Sequence, residues 1–131
     1  MKIMYDKILK NYVYVCPTCF NKPKDCTCTI LPLTLVQIDK NIWPTIKLLN
    51  EKWYKTEECC EGHVGSSEMI YVRFKKNYRF RPLSPKGFEG DGGYLKASIT
   101  GNNGDAKKRN KRKLLNALHN WACSLESRNI H

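Results

Sequence analysis

The chain has 131 residues, enough for one domain with an ordinary core, and its 41% hydrophobic content is that of a globular protein. No run approaches the roughly 20 apolar residues of a membrane span. No charged segment followed by an apolar one opens the sequence, so a cytoplasmic protein without membrane contact is expected. Against 12 Asp and Glu stand 23 Lys and Arg, a net charge of +11 that points to a polyanionic partner.

Residues 10–15 alternate weakly and read as a strand leading into a cysteine segment. There Cys16-Pro-Thr-Cys19 is followed after six residues by Cys26-Thr-Cys28. Two close pairs across a short loop place four thiolates around one tetrahedral ion, which is the pattern of a closed zinc site. The spacing departs from a double Cys-x2-Cys in its second pair, and a disulfide or four unligated thiols are the alternatives. Reducing conditions and an odd total of seven cysteines favour zinc, ligated by Cys16, Cys19, Cys26 and Cys28. The expected organisation is a zinc-knuckle appendage over residues 1–30 and a core domain over 31–131.

After an apolar stretch at 33–38, Ile42, Ile46, Leu49 and Trp53 recur at helical spacing. Asn41 as N-cap would put Pro44 in the third helical position, where no intrahelical bond is lost. Residues 54–60 read as a strand, 61–67 as a loop, and 69–74 as a second strand in which Ile70, Val72 and Phe74 alternate with polar neighbours. Two prolines and four glycines over 81–93 mark an irregular loop. A strand over 94–100, a turn at 101–104 and a final helix with Asp105 as N-cap follow. Leu114, Leu115, Leu118, Trp121, Ala122 and Leu125 give that helix its apolar face. The predicted class is α+β: a small mixed or antiparallel sheet packed by two helices, with an N-terminal knuckle.

Cys59-Cys60-Glu61-Gly62-His63 places two thiols, a carboxylate and an imidazole at the edge of a strand and a loop. Metal binding, a cysteine nucleophile or acid–base work by His63 are the chemistries such a group can serve. Strand alternation sends Cys59 and Cys60 to opposite faces, so at most one turns toward the loop's centre. In an enzyme, Cys60, Glu61 and His63 are the expected catalytic residues. In a binding protein Cys60, Gly62 and His63 face the ligand, or Gly62 serves a tight turn. His119 and Cys123, four apart on the last helix, read instead as scaffold beside an apolar stripe, as do Trp43, Trp53 and Trp121.

Two basic groups stand out. Arg73, Lys75, Lys76, Arg79 and Arg81 interleave with Phe74, Tyr78 and Phe80, and Lys107, Lys108, Arg109, Lys111, Arg112 and Lys113 fill six of seven positions. Such stripes attract phosphates, and aromatic rings beside them can stack on bases. Nucleic acid or a phosphorylated nucleotide is the expected partner.

The run Leu48-Leu49-Asn50, Tyr54, Thr56 and Cys59-Cys60-Glu61-Gly62-His63, with the strand from Ile70 and Pro85-Lys86-Gly87-Phe88, resembles a group of short uncharacterised proteins of Gram-positive bacteria and their phages. Their loop is usually Cys-Cys-Ser-Gly-His. More distantly, over about thirty residues, it is similar to the tRNA wybutosine-synthesising methyltransferase family with its Ser-Cys-Ser-Gly-Arg; here Glu61 replaces the serine and His63 the arginine. That similarity implies that the loop from Cys60 to His63 faces RNA or a nucleotide, with Lys or Arg on the phosphates.

Three functions follow from these features. The first is a zinc-stabilised basic protein that binds nucleic acid or a nucleotide. An RNA- or nucleotide-modifying enzyme centred on Cys60, Glu61 and His63 is the second. The phage association, small size and basicity suggest a third, an inhibitor of a host nuclease or defence complex that would pair with a host protein.

Overall fold

A computed structural model describes residues 11–28, 34–80, 83–91 and 93–128, and shows how short local patterns assemble into two antiparallel sheets and two helices. In chain order among these residues come β1 (Tyr12–Val15), a 3-10 turn at Pro23–Asp25, β2 (Val36–Asp39) and α1 (Trp43–Glu51). Then follow β3 (Thr56–Cys60), β4 (Met69–Phe74), β5 (Glu89–Gly90), β6 (Tyr94–Ser98) and α2 (Gly104–Ser124). The class is α+β, as the sequence predicts, and both sheets are antiparallel: a β1-β2 ribbon and a four-stranded sheet in the order β3-β4-β6-β5.

Alternation along β4 sets the sheet's inner face, because Ile70, Val72 and Phe74 are buried while Met69 and Arg73 face solvent. Its register then fixes which loops meet. Cys60 lies opposite Tyr71 and Met69 opposite Ser98, so the β3–β4 loop and the chain leading to α2 emerge at one end of the sheet. The segment after Phe74 leaves at the other end.

Helix α1 begins one residue later than expected, with Ile42 as N-cap and Pro44 in the second helical position. Asn41 makes no cap because its amide and side chain are both bonded to Glu61. At the other end Trp53 breaks the predicted helical face. It sits in the left-handed region at φ 70° while the Tyr54 and Trp53 amides donate to the Leu49 and Asn50 carbonyls, closing the helix as a Schellman turn. Its ring is therefore 46% exposed, with the Lys55 ammonium 4.5 Å above it. Just before the turn, buried Asn50 bonds the Ile46 carbonyl and both the hydroxyl and the amide of Thr56, tying α1 to β3.

The cap of α2 is Asn103, whose side chain accepts from the Ala106 amide at 2.9 Å; Asp105, the expected cap, lies in the first turn, where its charge suits the helix dipole. The basic turns are helical. At the C-terminus the Lys52 ammonium donates to the carbonyls of Ala122, Cys123 and Leu125, binding α1 to α2 through the groups that a helix end leaves unpaired.

The core joins Ile42, Ile46 and Leu49 of α1, the inner face of the large sheet, Leu118, Trp121 and Ala122 of α2, and Val15 and Phe20 of the cysteine segment. Phe74, Tyr78 and Phe80 belong to it. They are at most 7% exposed and pack edge-on or tilted against one another, Tyr54 and Trp121. Their interleaving with basic residues therefore records a buried face, and these rings offer no stacking surface to bases. Among the described residues no helix is long and apolar enough to cross a membrane.

Candidate metal centre and cationic cleft

The sulfur atoms of Cys16, Cys19, Cys26 and Cys28 all lie within 4.8 Å of one another, so the four cysteines can hold one metal ion. Local backbone geometry creates this. The Phe20 amide donates to the Cys16 carbonyl and so closes the turn from Cys16 to Cys19, the Cys16 amide donates to the Asn21 carbonyl, and Phe20 itself adopts φ 60°, which turns the chain back after the second cysteine. Burial of the Phe20 ring offsets the strain of that conformation. A 3-10 turn with the Cys26 amide bonded to the Pro23 carbonyl positions the second pair.

Amide groups point at the sulfurs, with the Thr18 N–H donating to Cys16 Sγ at 3.3 Å and the Cys28 N–H to Cys26 Sγ at 3.2 Å. Burial would raise the Cys16 thiol, but amides of Cys19 and Thr18 and neighbouring thiols hold it at about 7. Burial and the adjacent sulfurs push Cys26 up to about 12 and Cys28 upward as well. The cluster therefore keeps part of its sulfurs protonated, and four thiolates could gather here only around a cation.

At the other marked loop, strand alternation separates the two cysteines as expected. Cys59 packs against the core, and burial, with the nearby Asp39 charge, lifts its thiol to about 12. Cys60 turns instead toward the loop, where its sulfur accepts from the Gly62 amide at 3.3 Å and clusters with Asp39 and His63 within 4.8 Å. Burial chiefly raises Cys60, and the Asp39 carboxylate adds to it, so this sulfur is held as a thiol. The Asp39 carboxylate accepts the Glu61 amide at 3.0 Å and lies 3.3 Å from His63 Nε2.

Glu61 is 4% exposed and holds the loop down. Its carboxylate accepts the Asn41 amide at 2.7 Å, the Asn41 side chain at 2.9 Å and the Lys111 ammonium at 2.6 Å. Burial opposes its ionisation, yet Lys111 and Asn41 outweigh burial and draw its carboxyl below 4.5. An ionised group with both oxygens engaged positions its neighbours and has no proton to donate as an acid. Gly62 is likewise a shaping residue: at φ +80° it is buried, and a Cβ there would lie 2.6 Å from the end of Ile99.

His63 borders a cleft of about 610 Å³ between the loop and α2. Asn41 and Val64 line it on one side. On the other stand Lys108, Lys111, Arg112, Leu115 and Asn116, a stripe at helical spacing. The cleft thus unites the two features that the sequence marked separately, the Cys-Cys-Glu-Gly-His loop and the basic run. Only part of that run takes part. Lys107 is paired with Glu68 at 3.0 Å, Lys111 with Glu61, and Arg109 and Lys113 are exposed outside the lining. Lys75, Lys76 and Arg79 are exposed beyond the opposite end of β4, about 17 Å away along the strand at some 3.3 Å per residue. Arg81 lies outside the described residues.

Asp39 and Asn41 are the site residues that sequence reasoning missed. Asp39 ends β2 and Asn41 stands between β2 and α1, both far along the chain from the loop they support. The one signal for them was a polar Asp-Lys-Asn step between two apolar runs. His119 lies apart from the cleft lining, bonded through Nδ1 to Thr45 Oγ1 at 2.9 Å.

Fold and site together define an α+β protein with a cluster of four cysteines able to hold a metal ion and a separate cationic cleft. No family model matches the chain, and no curated protein or solved structure is significantly similar to it.

Proposed function

We propose that this is a zinc-stabilised basic protein that binds nucleic acid or a nucleotide in the cleft between the His63 loop and α2. Zinc suits the cysteine cluster because four thiolates in a closed tetrahedral set are its characteristic structural ligands. The observation that carries the binding reading is the cleft's lining. Exposed Lys108 and Arg112 stand one turn apart on α2 opposite His63 and Asn41, with no carboxylate among the described lining residues. Cations one turn apart match successive phosphates, while amide and imidazole groups opposite them can bond base or sugar.

Fluorescence anisotropy with labelled single-stranded RNA and DNA, across a salt series, tests it. Lys108→Ala with Arg112→Ala should weaken binding and reduce the salt slope by about 0.7–0.9 for each phosphate that is no longer neutralised. Unchanged affinity and slope in a folded double variant would remove the cleft from the interface.

A further inference from the structure

We propose that Asp39, Cys60 and His63 form a second metal site, which takes Zn2+ through three protein ligands and leaves its fourth position open to the cleft. One carboxylate oxygen, one sulfur and one ring nitrogen lie within 4.8 Å of one another. Zinc accepts this mixed set because it is borderline in softness and binds O, N and S donors alike. Separation is informative as well. His63 Nε2 and Asp39 Oδ2 are 3.3 Å apart, longer than the roughly 2.7–2.9 Å of a charge-assisted hydrogen bond. Two ligands at about 2.0–2.2 Å on a tetrahedral ion stand about 3.3–3.5 Å apart.

The three ligands are held by different elements and oriented from behind. Asp39 ends β2 and accepts the Glu61 amide, Cys60 ends β3 and accepts the Gly62 amide, and His63 is fixed by its own amide on the Ser67 carbonyl. The amides on Asp39 and Cys60 are outer bonds of the kind that keep metal ligands aimed at one point, while the Ser67 bond fixes the backbone from which His63 projects. The site differs from the four-cysteine cluster in having three protein ligands, the number that leaves zinc able to accept an external one. His63 is 38% exposed on its side chain and lines the cleft, so the open position faces Lys108 and Arg112. A phosphate oxygen is the ligand those charges favour; that part of the proposal rests on the phosphate-binding reading of the cleft, whereas the metal site does not.

Equilibrium dialysis of the full chain against Zn2+, followed by metal analysis, reads the number of ions directly. The wild-type protein should hold two per chain, and His63→Ala, Asp39→Asn and Cys60→Ser one each. Equal numbers of ions in the wild type and the folded variants would overturn the site, whatever the four-cysteine cluster holds, and a cysteine nucleophile in the same place would give that equal count. Circular dichroism on each variant identifies those that fold, and three variants guard against the loss of any one.

Cobalt then separates the two parts of the proposal. The difference spectrum of Co2+-loaded wild type minus His63→Ala isolates the second ion, and inorganic phosphate should shift its visible bands. A spectrum indifferent to phosphate would overturn the open position while leaving the metal count intact. Failure of nucleic-acid binding with two ions still present would count against the cleft reading alone.

Discussion

The Glu61 carboxylate and the Lys111 ammonium lie 2.6 Å apart, with side chains only 6% and 18% exposed, and this pair locks the β3–β4 loop to α2. It also places Lys111 against the protein's own anion, so among the described lining residues Lys108 and Arg112 are the other cations that a ligand in the cleft would meet.

Glu61→Gln should destabilise the protein by about 2–4 kcal/mol, since it strands a largely buried ammonium. The pH dependence has a definite sign. Folding lowers the Glu61 carboxyl below 4.5, so its contribution is complete above that value and is lost as the pH falls through the lower folded one. Urea unfolding from neutral to acid pH should show a shallower acid limb in Glu61→Gln, and parallel limbs would count against the pair.

Metal removal is expected to act on the ribbon. With chelator, or in a Cys16→Ser, Cys19→Ser double variant, the turn that presents Phe20 should open and the bond from Trp43 Nε1 to the Phe20 carbonyl, now 2.8 Å, should break. Tryptophan fluorescence and metal analysis follow this together. A fold and an emission spectrum insensitive to chelator would contradict a zinc-stabilised knuckle.

The two histidines at Asp39 and Thr45 should behave differently. His119→Ala removes the partner of buried Thr45 between α1 and α2 and should cost about 1–2 kcal/mol. His63→Ala removes a partly exposed ring and should cost within about 0.5 kcal/mol in metal-free buffer, while weakening ligand binding in the cleft. Thermal melts with binding assays compare them, and equal losses of stability would make the His63 loop a structural turn.

Gly62→Ala should be worse than either. A side chain at φ +80° costs about 1–2 kcal/mol and the clash with Ile99 about 1–3 more, so a loss of roughly 2–5 kcal/mol is expected in denaturant titration. A neutral substitution would mean that Ile99 and the loop repack freely.

Neutralising Lys75, Lys76 and Arg79 should leave cleft binding unchanged, because these residues leave the far end of β4. If instead that triple variant loses salt-dependent affinity while Lys108→Ala, Arg112→Ala does not, the polyanion lies on the other end of the sheet.

Local patterns were legible where one periodicity governs. The alternation at Ile70, Val72 and Phe74 gives β4 to the residue, and the cysteine spacing gives the cluster. Residues answering to distant partners were not. Asn41 looks like a cap until Glu61 takes both its donors, and Trp53 fits a helical face until the chain turns left-handed beneath it. Phe74, Tyr78 and Phe80 show a different limit, because alternation of ring and cation marks a half-buried segment as well as a stacking surface. Asp39 was missed because only the β1-β2 ribbon and the β3 terminus bring it to Cys60 and His63.

The β1 and β2 strands are adjacent, yet no tight turn joins them. After Val15 the chain runs through all four clustered cysteines before it returns as Val36, its direct partner. Hairpins ordinarily owe their register to a connection of about two to five residues. A metal that clamps the cysteines removes most of this longer connection from the slack chain, and with closure entropy logarithmic in length the gain is about 1 kcal/mol. Ligation at this cluster would do the work of a reverse turn. It would set the pairing of Tyr12 with Asp39 at the ribbon's far end, so during folding the arrival of metal should precede the alignment of Asp39 with His63.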